Sequence, residues 1–143
     1  MSPALIVIGL ALDFSVGFLG TRVGHRNPAT PWEVEVMVRQ AQAVLHYDGA
    51  PIAVVVDRPK DRRNLAEIQW EPLRQEYTLT LHVQHLSSGQ KALQLTAAHE
   101  VCHAILEGDV LRGERIATEE QRDKTHKSVR KCAKTGRRKM RMR

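Results

Sequence analysis

Residues 95–108 read LTAAHEVCHAILEG, and whether they form a helix or a strand decides the rest of the fold. The helical period organises them. At about 100° per residue, with His99 at zero, His103 falls near 40° and Glu100 near 100°. Leu95, Ala98, Val101, Cys102, Ile105 and Leu106 fall between about 200° and 340°. The spacing predicts a helix with a polar arc carrying His99, Glu100 and His103. An apolar stripe on the opposite side is then expected to face the core.

The boundaries agree with a helix. Ser87 and Gln90 have capping-box spacing, and Gly108 stands where a C-terminal glycine belongs, so the helix is expected over 88–107. Upstream, EYTLTLHVQHL (76–86) alternates, with Tyr77, Leu79, Leu81 and Val83 on one face. IAVVVD (52–57) is a short β-branched run, and AEIQWEPL (66–73) alternates around Ile68 and Trp70 until Pro72 breaks it. A small, largely antiparallel sheet follows from these runs. Before it, Thr30, Pro31 and Glu33 supply an N-cap, a first helical residue and a capping-box partner. Val34, Val38, Ala41 and Leu45 continue at helical spacing to about His46, and Asp48-Gly49 stops the helix. A last helix is expected near 126–135, where Val129, Cys132 and Ala133 share a face and Gly136 closes it.

The 143 residues suit one domain, and the composition is 42% hydrophobic and 27% charged. The expected organisation is a single α+β domain over 1–136 followed by a basic, mobile tail at 137–143. Residues 1–29, an apolar segment and a loop, are left without a role. ALIVIGLAL (4–12) is interrupted by Asp13 and is shorter than the roughly 20 residues of a spanning helix. A buried strand or helix is the preferred reading, and a membrane anchor over 4–19 the lesser one. The two cysteines, Cys102 and Cys132, are too few for a disulfide framework or a four-cysteine zinc ribbon. Both are expected to be reduced in a cytoplasmic protein, with Cys102 packed toward the core. A bridge between the two helices is the lesser alternative.

The net charge of +6 is unevenly placed. Residues 122–143 hold eleven Lys or Arg and a single acid, Asp123, a net +10. Residues 1–121 hold eleven bases and fifteen acids, a net −4. A positive segment of this kind fits non-specific nucleic-acid binding, and a solvated C-terminus fits equally well.

The chemistry-bearing residues are His99, Glu100 and His103, spaced H-E-x-x-H. Imidazoles at i and i+4 can point two nitrogens at one metal ion, and the carboxylate beside them can take a proton from water. A catalytic zinc takes three protein ligands. Four candidates for the third lie downstream: Asp109, Glu119, Glu120 and His126. The glycine that would turn the chain back toward Asp109 is absent, since Leu106 occupies its place. Glu119 and Glu120 read equally well as first-turn acids of a helix. His126 by itself reads as a solvated histidine in a basic segment, as His82 and His85 read as solvated positions along the sheet.

HEVCHAIL followed by DKTHKSVRKCAKTGRRKM resembles the SprT-like zinc metallopeptidases, especially their small phage-type members. The resemblance covers roughly residues 76–140. It implies a zincin-like fold, Zn2+ as cofactor, His99, His103 and His126 as metal ligands, and Glu100 as general base. It further implies hydrolysis of peptide bonds in protein substrates, for some members proteins associated with nucleic acid. Lys127 stands where the family usually has Gly, and Arg130 where it usually has an aromatic. On this reading the strand at 77–84 is an edge that pairs with extended substrate.

Overall fold

The computed structural model describes residues 27–58 and 64–142. Among these residues the order is α1 (Pro31–Val44), β1 (Ile52–Asp57), β2 (Ala66–Glu71), β3 (Glu76–His82), a 3-10 turn (Val83–Ser87), α2 (Gln90–Leu111) and α3 (Glu119–Arg141). The class is α+β, as the patterning predicts. The apolar segment and suggested anchor at 4–19 lie outside the described residues. Among the described residues no helix is long and apolar enough to cross a membrane.

The capping box at Thr30 forms as read. Its hydroxyl accepts from the Glu33 amide, and the Glu33 carboxylate accepts from the Thr30 amide. Val34, Val38, Ala41 and Val44 give α1 its buried stripe. The sheet differs from the expectation. Its order is β1-β3-β2, with β1 parallel to β3 and β2 antiparallel to it, so the sheet is mixed. The chain leaves β1, passes beyond β3 to form β2, then returns through a tight turn. Consequently β3 is the central strand and not an edge. Being hydrogen-bonded on both sides, it cannot template a substrate, and the edges are β1 and β2. The reason lies in burial: Tyr77, Leu79 and Leu81 are the most enclosed strand residues, with Ile52 and Ile68 opposite or beside them.

Helix α2 packs its buried face on this sheet and on α1. Leu93, Ala97, Ala98, Val101, Cys102 and Ala104 lie in the core. Leu95, Ile105 and Leu106, expected inside, stay 39–41% exposed, because the buried arc is rotated toward Glu100. The helix starts at Gln90 after Gly89, and the predicted cap at Ser87 instead belongs to the 3-10 turn. Gly108 is not a terminator either. It lies within α2, where a Cβ would come 2.8 Å from both the Tyr77 hydroxyl and the Arg112 guanidinium. Its bareness lets Arg112 reach Tyr77 at 2.7 Å.

Helix α3 is longer than predicted at both ends. Thr118 and Gln121 form its capping box, and it runs through Gly136 to Arg141, so residues 137–141 are helical rather than a mobile tail. Gly136 is a contact point: a Cβ there would lie 3.1 Å from both Leu45 methyl carbons. Val129, Ala133, Gly136 and Met140 form the buried seam. Cys102 and Cys132 are joined in a disulfide, Cα–Cα 6.1 Å, between α2 and α3. That overturns the expectation of two reduced thiols. Cys102 does face inward and is fully buried, but the buried face on which it lies is the one that α3 covers.

Candidate metal centre

His99 and His103 occupy one face of α2, one turn apart, and His126 comes from the second turn of α3. The disulfide and the α3 seam bring the two helices together, so a residue distant in sequence closes the group. One ring nitrogen from each of the three histidines lies within 4.8 Å of the other two. The ring centroids are 4.7 Å apart for His99–His103, 5.8 Å for His99–His126 and 5.6 Å for His103–His126.

The donor set fits a metal ion. The Nε2 atoms of His99 and His103 are 3.1 Å apart. Two imidazole nitrogens sharing one tetrahedral ion at about 2.0–2.1 Å stand roughly 3.3 Å apart. Both rings resist protonation. Burial, then the neighbouring His103, His126 and Arg130, push His99 down to about 4. Burial also lowers His103, against the opposing pull of Glu107. Neutral imidazole is the ligating form, so protons compete weakly with a metal here.

Glu107 is the residue that the sequence reading missed. Its carboxylate accepts a hydrogen bond from His103 Nδ1. That bond fixes the tautomer that leaves Nε2 free, directed toward His99, the arrangement common for metal-ligating histidines. Glu107 departs from helical geometry, with φ −139° and ψ 31°, and α2 bends there. The i, i+4 spacing from His103 was the available signal.

Glu100 lies at the margin of the core, 7% exposed. Burial, with the carboxylates of Glu67 on β2 and Glu107, raises it to about 7. A carboxylate poised there suits general-base chemistry at neutral pH. The other candidates do not join the group. Asp109 is paired with Arg115 at 2.8 Å, and that bond holds its carboxyl below the usual range. Glu119 and Glu120 sit exposed in the first turn of α3. His85 is not solvated but 3% exposed, with Nδ1 on Ser88 Oγ and Nε2 on Thr96 Oγ1. His82 uses Nδ1 to accept from the Gln84 amide.

Compared with known proteins, the chain matches no family model, no curated protein and no solved structure.

Proposed function

We propose that the chain is a zinc-dependent endopeptidase with a zincin-like, SprT-like site. The observation that carries this reading is the convergence of His99, His103 and His126, two of them on a helix that also holds, at Glu100, a buried carboxylate raised to about 7. The three histidines would hold the ion, and Glu107 would keep His103 in the ligating tautomer. A zinc ion held there supplies Lewis-acid polarisation of the scissile carbonyl and acidifies water. Glu100 accepts a proton from the attacking water and delivers it to the leaving amine. An extended substrate would pair with an edge strand, and β2, whose Glu67 lies close enough to influence Glu100, is the edge nearest the base.

The proposed substrates include proteins held on nucleic acid. Ten of the 23 residues of α3 are Lys or Arg, and its apolar seam leaves most of that charge exposed. The same charge supports a second reading, a nucleic-acid-binding protein whose metal centre is structural. The Cys102–Cys132 disulfide fits oxidising surroundings better than a reducing cytoplasm.

Metal content and proteolysis of an unfolded protein substrate test these readings together. The wild type is expected to hold one zinc per chain and to cleave. Glu100→Gln is expected to keep the zinc and lose cleavage, and His126→Ala to lose the zinc. A zinc-loaded wild type that cleaves no unfolded substrate sinks the peptidase and leaves the structural reading.

A further inference from the structure

The far ends of the same helices build a second site. A cleft of about 460 Å³ opens between α1, the start of α2 and the end of α3. Lys91, Arg137 and Arg141 bring three positive charges to its walls, and Gln40, Gln90 and Gln94 bring three amides. No carboxylate lines it among the described residues. Arg137 Nε is buried there without a hydrogen-bond partner among the described residues. The cleft is separate from the metal centre: at about 1.5 Å rise per residue, Lys91 lies roughly 12 Å along α2 from His99.

We propose that this cleft binds the phosphate group of a small phosphate ester. A guanidinium fork matches two phosphate oxygens, and Lys91 adds a point charge. Gly89 opens α2 without a side-chain cap, so the amides of its first turn also favour an anion. The volume exceeds what one phosphate fills and lies within the range of small-molecule sites, which leaves the glutamines to contact the rest of the ester. This site does not depend on the peptidase reading.

Calorimetric titration of the full chain with phenyl phosphate and with inorganic phosphate tests it. One phenyl phosphate per chain is expected to bind, more tightly than inorganic phosphate. Equal affinities would keep the anion site and assign it to free phosphate. Arg137→Gln and the exposed Lys91→Gln should each weaken binding about tenfold or more, the loss of one charge-assisted donor. Lys131→Gln removes equal charge from α3 outside the cleft and should change affinity by less than about twofold. Equal losses from Lys131→Gln and Arg137→Gln would reduce the effect to general surface charge and overturn the site. So would binding that disappears in His126→Ala but survives Arg137→Gln, which places the phosphate on the metal centre.

Discussion

Two sets of histidines flank the same helix and differ in what their nitrogens meet. His85, beneath the start of α2, has both ring nitrogens satisfied by the hydroxyls of Ser88 and Thr96. Its hydrogen bonds are complete, and it needs nothing further. His99 and His103 turn Nε2 toward one another, and His126 closes the third side. Imidazole nitrogens directed at a common point share either too many lone pairs or too many protons, and a cation resolves that conflict. His85 is buried, His99 and His103 are half-buried, and His126 is exposed. The partners separate a histidine that holds the fold from histidines that could hold an ion.

The most severe break of this comparison is Glu100→Gln. It leaves the three nitrogens untouched and removes the proposed base, so the proposed peptide hydrolysis should slow by about 10²–10⁴-fold with zinc content unchanged. A rate within tenfold of wild type would take Glu100 out of the chemistry. Next comes Cys102→Ala with Cys132→Ala. The bridge spans 30 residues of sequence, and opening a loop of that length should lower stability by about 3–4 kcal/mol in denaturant unfolding. Because the bridge ties the two ligand-bearing helices, zinc affinity should fall with it, whereas His85, held within one short segment and the first turns of α2, should keep its bonds.

The helix α2 and the shared face of His99 and His103 were legible because a 3.6-residue period needs only local sequence, and the capping box at Thr30 rests on equally local chemistry. Glu100, read on the same polar arc, lies instead on the buried side, because the neighbouring elements and not the period decide where the core face ends. The centre's closure was not local. The residues alone gave His126 no preference over a solvated histidine, and only the resemblance singled it out. The length of α3 was underestimated because its long run of charged residues hides the sparse seam of Val129, Ala133, Gly136 and Met140. Gly108 and Gly136 read as terminators, but both are places where a side chain from another element comes too close for a Cβ. The central position of β3 depends on a crossover that strand patterning does not encode. The disulfide depends on two helix faces meeting, which neither cysteine announces. Glu107 carries a local signal, four residues after His103, but its role rests on a ligand's other nitrogen, which a search for ligands alone does not reach.

A finer break is Glu107→Gln. The amide keeps the shape but can no longer accept with a full charge, and it can present an N–H to Nδ1. His103 should lose its fixed tautomer, and zinc affinity should drop by about 10–100-fold in competition with a chromophoric chelator. Wild-type affinity in this variant would show that the kinked segment orients His103 without help from the carboxylate.

The smallest expected effect is on the histidine that needs no ion. His85→Asn removes a buried ring whose two bonds are part-buried, leaving at least one of the Ser88 and Thr96 hydroxyls without its partner. Stability should fall by about 1–3 kcal/mol, with no change in zinc stoichiometry or affinity. Proton linkage gives an independent signature. Burial, then the adjacent His82, lowers His85 below its ordinary value of 6.5, so the unfolded chain takes up the proton more readily than the folded one. The stability that His85 contributes is complete above pH 6.5 and is lost as the pH falls through its lowered value. His99 and His103 slope the same way, but a bound ion holds them unprotonated in the folded state over a wider range. Chemical denaturation of the zinc-loaded chain from pH 7 to pH 5 should therefore show a shallower loss in His85→Asn than in wild type. Identical pH slopes would mean that His85 is protonated as readily inside as outside, and that its two hydroxyl partners accept from an imidazolium as well as they serve the neutral ring.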